Sequence, residues 1–299
     1  MNFSKTRIAP TPSGFIHYGN ILSFLITAAV ARQNGAEILL RIDDMDEERV
    51  KKKYVEDIFN SLNFMGIPWD EGPRNFREFQ AKYSQVHRLG VYNEALEQLK
   101  EAKWLFACDC SRRKISRESN DGSYPGTCKK KNVPFDAEGT SWRLHTEKDR
   151  IFMINDISGK QIKSSISLPL RDFVVRRKDH KPAYQVTSVV DDMVDKVDLI
   201  VRGKDLWGST VAQVYLSDML PGSDFGKKTF LHHPLIKDPE GKKLSKSAGA
   251  SSIQHLVKSG VSKAGVYRTI GEFLQFEEPV ANFEGFVKAF NLKTSFSLH

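Results

Sequence analysis

Arg7-Ile8-Ala9-Pro10-Thr11-Pro12-Ser13-Gly14-Phe15-Ile16-His17-Tyr18-Gly19-Asn20 is the stretch on which the fold turns. It opens on a strand-like run, residues 6–9, passes through a Pro- and Gly-bearing turn over residues 10–14, and enters an apolar helical segment at residues 21–31 through the tetrapeptide His17-Tyr18-Gly19-Asn20. A helix start leaves its first backbone N–H groups without intrahelical acceptors, and the dipole adds positive charge there, so phosphate is attracted. A second strand follows at residues 37–42, whose apolar centre Ile38-Leu39-Leu40 is the pattern of a parallel strand buried on both faces. Strand, helix and strand make a βαβ unit. The expected fold is therefore α/β, a Rossmann-type nucleotide-binding domain with a parallel sheet.

Far along the chain, Lys243-Leu244-Ser245-Lys246-Ser247 puts two ammonium groups on a polar segment suited to closing over a leaving pyrophosphate. Alone, a His-x-Gly-Asn tetrapeptide is commonly a turn and a Lys/Ser run a solvated loop. Their order, and the strand-turn-helix setting of the first, imply an enzyme that forms an adenylate from ATP. His17, Gly19, Asn20 and Lys246 would hold the phosphates, with Lys243 beside them.

Lys and Arg outnumber Asp and Glu by 45 to 37 in 299 residues, giving a formal charge of +8 and a pI near 9.2, which suits a polyanionic partner without requiring one. Basic residues crowd at Arg112, Arg113, Lys114, Arg117, Lys129, Lys130 and Lys131, and again at Arg176, Arg177, Lys178 and Lys181. Binding of a phosphate backbone is expected there, against the alternative of a merely basic surface. The apolar run at residues 21–31 is too short to cross a bilayer, and the first residues lack a basic region followed by an apolar one. A cytoplasmic protein with no membrane partner is expected, and its three cysteines are then reduced.

Helical spacing predicts a helix over residues 48–64 with Tyr54, Val55, Ile58, Phe59 and Leu62 on one face, and another over 83–103 with Val86, Leu89, Tyr92, Leu96 and Leu99 in the core. The texture then turns basic and rich in Gly, Ser and Pro, with β-like runs at 141–144, 151–154 and 172–176. We expect residues 1–106 to be the first half of the catalytic domain, 107–171 an inserted α+β subdomain, 172–245 the second half, and 246–299 the end of the lysine loop with a short helical segment. Within the second half, a helix at 184–192, a strand at 198–203 and a helix at 209–220 are predicted.

Six landmarks carry a family resemblance: residues 7–14, His17-Tyr18-Gly19-Asn20, Arg41-Ile42-Asp43-Asp44, Trp69-Asp70-Glu71-Gly72, Val201-Arg202-Gly203-Lys204-Asp205-Leu206 and Lys243-Leu244-Ser245-Lys246-Ser247. In this order they resemble the glutamyl branch of class I aminoacyl-tRNA synthetases. Few residues follow the last landmark, so the anticodon-binding domain of full-length members is expected to be absent. That combination resembles the stand-alone glutamyl-Q type, catalytic cores that activate L-glutamate with ATP and magnesium, without needing tRNA, and attach it to queuosine in the anticodon stem-loop of tRNA(Asp). A monomer is expected.

The resemblance implies site residues. Cys108-x-Cys110, thirteen residues and Tyr124-x-x-x-Cys128 match the family's structural zinc site, one ion per chain with the tyrosine as fourth ligand; thiolates suit zinc, which would staple an insert lacking its own core. The other reading is three reduced thiols with Tyr124 simply packed. For glutamate, Arg7 and Arg202 supply cations and Asp43 an anion for the ammonium, with Ala9, Thr11 and Tyr184 lining the pocket. A bidentate Arg202 discriminates against neutral glutamine. The branch has Ser where Thr11 stands and Glu where Asp43 stands; Asp there is more like the glutaminyl branch, so glutamine is the competing amino acid. Two alternatives stand beside the main reading: a truncated synthetase charging a tRNA 3′ end, and a non-catalytic RNA-binding paralogue.

Overall fold

The computed structural model describes residues 3–119, 121–236 and 252–290. Its strands are β1 (Lys5–Ile8), β2 (Glu37–Leu40), β3 (Leu105–Cys108), β4 (Ser141–Leu144), β5 (Ile151–Asp156), β6 (Gln161–Ser165), β7 (Val174–Arg176), β8 (Leu199–Gly203) and β9 (Thr229–His233). Its helices are α1 (Tyr18–Asn34), α2 (Lys52–Met65), the single turn α3 (Phe76–Glu78), α4 (Leu89–Glu101), α5 (Arg112–Glu118), α6 (Tyr184–Val194), α7 (Trp207–Ser217), α8 (Ile253–Lys258), α9 (Lys263–Phe273) and α10 (Phe283–Ala289). They divide into two compact units, one from Met1–Ser84, Val197–Asp205 and Leu231–His299, the other from Gln85–Lys196 and Leu206–Phe230. Among the described residues no helix is long and apolar enough to cross a membrane.

In the first unit β1 is the middle strand, parallel to β2 from Lys5 opposite Glu37 to Ile8 opposite Leu40, and parallel to β8 at Thr6 opposite Leu199. Buried Thr6 donates its Oγ1 hydrogen to the Leu199 carbonyl at 2.8 Å, and the Asp198 carboxylate accepts from Ser4 and Lys5 N–H groups at 2.7 and 3.0 Å. The β1-α1-β2 segment is the βαβ unit expected. Helix α1 buries Ile21, Leu22 and eight of the nine residues after them, so it has hardly any wet face; its start was legible from the turn and cap, and Gly35, at φ +67, ends it in the left-handed conformation that glycine tolerates.

The helix predicted over 48–64 begins later. Glu47–Arg49 form a 3-10 turn, Lys51 is extended, and α2 starts only at Lys52, with Val55, Ile58, Phe59 and Leu62 buried as expected. The described part of the tail, residues 252–290, is mainly helical: buried Tyr267 of α9 donates its hydroxyl to the Met65 carbonyl at 2.8 Å, fastening the end of α2.

In the second unit α4 begins at Leu89, after a 3-10 turn at Gln85–Arg88 that leaves Val86 exposed while Tyr92, Leu96 and Leu99 are buried. That turn serves a buried charge network: Asp191 of α6, fully buried, accepts from Gln85 at 2.8 Å, Arg88 at 2.8 Å and Tyr92 at 2.7 Å, and Arg88 also grips Asp195 at 2.7 Å. The three β-like runs of the middle segment do not share a sheet. Strands β3, β4 and β7 form a three-stranded antiparallel sheet, whereas β5 pairs antiparallel with β6 and parallel with the first residues of β9. The fold is thus α/β with mixed rather than wholly parallel pairing.

Candidate active site

His17 is the N-cap of α1, extended at φ −125 and ψ 173. Its Nδ1 accepts from the Gly19 N–H at 3.1 Å, while the Asn20 side-chain oxygen accepts from the His17 N–H at 3.2 Å, a reciprocal cap. An accepting Nδ1 puts the neutral ring's proton on Nε2, the tautomer able to donate to a phosphate oxygen. Gly19 has a steric reason: a Cβ there would lie 3.1 Å from His17 Cε1. Buried Asp57 of α2 accepts the Ile16 N–H at 2.7 Å and so fixes the residue before the cap; burial raises its pKa, partly offset by that hydrogen bond.

Lys243 and Lys246 lie outside the described residues. Their flank does not. The chain beyond them returns at Ser252, which bridges to His17, and the Ile253 N–H donates to the Ile16 carbonyl at 2.8 Å. Before them, His233 closes β9, buried, with Nδ1–H donating to the Pro234 carbonyl at 2.9 Å; burial pulls its pKa down to about 4.

At the carboxyl ends of β1, β2 and β8, where open α/β sheets bind ligands, the first unit gathers Arg7, Asp43 and Arg202, all buried. Arg7 donates to the Val201 carbonyl at 3.3 Å, next to Arg202, and the Asp43 N–H donates to Pro10 at 3.0 Å, so the three strand ends are cross-tied. Ala9 is half-buried and Thr11 exposed in the turn after β1. The structure adds Arg41, a residue sequence reasoning left out of the site: its Nε donates to Asp43 Oδ1 at 2.7 Å, both side chains buried. The anion expected to meet an ammonium group is already half of an ion pair. Neighbouring Asp44 accepts from Ser84 Oγ at 2.5 Å, while Asp46 pairs with Arg49 at 3.2 Å. Tyr184 belongs to the second unit, where it is the first residue of α6 with 39% of its surface exposed.

Also in the second unit, Cys108, at the end of β3, Cys110 and Cys128 come together with their sulfurs within 4.8 Å of one another, all buried. Cys110 and Cys128 are 3.5 Å apart, and the Tyr124 oxygen stands 3.5 Å from Cys108 Sγ. A tetrahedron of zinc–sulfur bonds of about 2.3 Å has edges near 3.8 Å. The three sulfurs could therefore hold such an ion, with the Tyr124 oxygen beside Cys108. Tyr124 is held by the Cys128 N–H at 2.8 Å and by Arg143, whose guanidinium stacks 3.9 Å from its ring centre. Burial pushes the Cys110 thiol up to about 12 and also raises the Tyr124 phenol, while Cys108, despite burial, is drawn below the usual thiol value by its bonds to Tyr124, the Cys110 backbone and Arg143. The sequence reading missed Asp109, whose carboxylate accepts from Cys128 Sγ at 3.0 Å; that bond, with Lys131 nearby, holds it below the usual carboxylate range. Its place between Cys108 and Cys110 was the available signal.

The family model for the catalytic domain of class I tRNA synthetases (E and Q) matches residues 4–296. A glutamyl-Q tRNA(Asp) synthetase of Dechloromonas aromatica is 34% identical over 255 residues, 83% of this chain and 80% of that protein. A glutamate–tRNA ligase 1 of Thermoanaerobacter is also 34% identical, over 91% of this chain but only 56% of the relative, so the chain spans about half the length of such ligases. The crystal structure of a glutamate–tRNA synthetase from Elizabethkingia anophelis superposes with a TM-score of 0.79 at 22% identity, covering 98% of this chain and 66% of that one, which shows a shared fold. With the capped helix, the strand-end cluster and a match over nearly its whole length, the chain belongs to the catalytic-domain family of class I tRNA synthetases (E and Q).

Proposed function

We propose that the protein activates L-glutamate with ATP and magnesium and transfers it to queuosine in the anticodon stem-loop of tRNA(Asp), acting in the cytoplasm as a monomer. The observation that carries the activation half is the bridge between His17 and Ser252, because it ties the far flank of the lysine block to the phosphate-attracting cap. Lys246 is six residues before Ser252, a reach of at most about 20 Å of extended chain. In this reading the α-carboxylate of glutamate attacks the α-phosphorus of ATP, with His17, Gly19 and Asn20 at the phosphates. Lys243 and Lys246 offset charge on the departing pyrophosphate. Magnesium would add charge neutralisation at the phosphates. No protein nucleophile takes part. A hydroxyl of the acceptor then attacks the mixed anhydride, giving an ester and AMP.

Arg7 and Arg202 are the cations for the glutamate carboxylates; the resemblance adds Ala9, Thr11 and Tyr184. Asp43 holds the ammonium directly or through water while keeping Arg41 as its partner. Zinc at Cys108, Cys110, Tyr124 and Cys128 serves structure only. The glutamyl-Q names of relatives at 32 to 34% identity support the acceptor. The equal identity of the Thermoanaerobacter ligase favours a second reading, charging of a tRNA 3′ end.

One assay separates them. Purified tRNA(Asp) with and without queuosine is incubated with labelled glutamate and ATP; label appearing only on the modified tRNA is expected, and equal charging of both overturns the acceptor. Amino-acid-dependent ATP–pyrophosphate exchange, run without tRNA, tests activation separately, and glutamine exceeding glutamate would overturn the choice of amino acid.

A further inference from the structure

Apart from the strand-end cluster and the cysteines, the second unit holds a cavity of about 740 Å³ between α4, β4, β7 and the loop at residues 133–137. Its volume is in the range of small-molecule sites. Trp142 forms the buried floor, Phe135 stands edge-on to it with ring centres 5.1 Å apart, and the indole N–H donates to the Phe135 carbonyl at 3.0 Å. Three cationic or protonatable groups border these rings: Lys100, Arg176 and His180.

These groups are not equivalent. Lys100 is paired with Glu97 at 2.7 Å. Arg176 has no carboxylate hydrogen-bonded to it among the described residues; its guanidinium lies 4.3 Å from the Trp142 ring centre and contacts His180 Nδ1. An indole face and a ring nitrogen hold this cation in place, and neither cancels its charge. His180 reaches it because the turn from Arg177 to Lys181 reverses the chain, with His180 at φ +66. Asp136, also on the cavity wall, is a carboxylate that accepts N–H groups and repels phosphate. A bare dianion is therefore disfavoured. What fits is a molecule with negative charge at one end, a flat aromatic body, and N–H donors at the other.

We propose that this cavity binds a nucleotide, with its phosphate on Arg176 and His180, its base against the Phe135 ring, and base N–H groups toward Asp136. A free mononucleotide and an unpaired residue of an RNA strand present the same group. The inference does not depend on the reading of the strand-end cluster as an adenylate-forming site, since all the residues it uses belong to the second unit.

The test is a titration of the full chain, followed by saturation-transfer NMR, with GMP, UMP, ribose 5-phosphate, inorganic phosphate and a short single-stranded oligoribonucleotide. GMP or UMP is expected to bind with Kd on the order of 0.1 to 1 mM, or the oligonucleotide to bind where the free nucleotides do not, which assigns the site to RNA. Phe135→Ala and Arg176→Gln are each expected to weaken that binding about tenfold or more, with ribose 5-phosphate and inorganic phosphate weaker by a similar factor. Should Arg176→Gln fold poorly, Arg176→Lys, which keeps the charge but not the planar stack, is expected to show the same loss. Binding of phosphate as tight as that of nucleotide, binding unmoved by these substitutions, or no binding of any nucleotide overturns the proposal.

Discussion

The capped helix with its strand-end cluster and the cysteine cluster are built in opposite ways. At the first, His17 and Asn20 cap a helix that is buried nearly all round, the residue before it is fixed by Asp57, and the strand ends beneath are cross-tied by backbone bonds. Its geometry is set by the fold before any ligand arrives. At the second, three thiols and a phenol converge on short segments, α5 spans only seven residues with none buried, and the shared packing is Phe106, the cysteines and Tyr124 with Ile115 and Val133 against them. With zinc bound as proposed, a scaffold that small would gain its rigidity from the metal, so preorganisation would come from burial in one unit and from chelation in the other.

Stripping metal offers the largest effect and the sharpest break. One zinc per chain is expected by elemental analysis, and Cys128→Ser is expected to lose it along with folding free energy on the order of 10 kcal/mol at the site, seen as loss of protease resistance around residues 105–145. Activation of glutamate, read by pyrophosphate exchange, should survive that loss. If exchange collapses with the metal, the two regions are not built independently. Next, Arg202→Gln is expected to cut glutamate activation by roughly 10²-fold or more, about 3 kcal/mol, with little change in melting temperature. An unchanged kcat/KM would remove Arg202 from substrate.

The pH response of the first unit comes third. His233 is protonated near pH 6.5 when unfolded but only near 4 when folded, so the unfolded state binds more protons between those values. Stability should fall as pH drops from about 6.5 to 4, by about 3 kcal/mol at most, and level off below. Urea midpoints across that range, with His233→Phe as the control lacking the slope, check it. Smallest is the cap itself. His17→Ala is expected to cost about 1 kcal/mol of stability, while lowering activation by a much larger factor; a loss of activity no greater than the loss of stability would make His17 only a cap.

The segments that could be read in advance were those whose neighbours lie close in the chain. The β1-α1-β2 unit, the cap and the cysteine spacing all declare themselves within a few tens of residues. Where partners are distant, the sequence offers no pairing to read: β5 finds β9 more than 70 residues on, a contact with no local signature. Likewise the start of α4 is displaced by Gln85 and Arg88, which bend away to meet Asp191 more than 100 residues later. Arg41 was a different kind of omission. Its partner Asp43 is two residues away, but nothing in the sequence says that both side chains turn to the same buried face.

Ser252, joined to His17 through the short antiparallel bridge, is a fixed post at the start of α1. Covalent reach alone keeps Lys246 within about 20 Å of it, so in the proposed reaction its ammonium group would meet a phosphate at millimolar or higher effective concentration. Loosening that post with a proline at Ile253, which removes the N–H given to Ile16, should therefore slow pyrophosphate departure without touching a single charge.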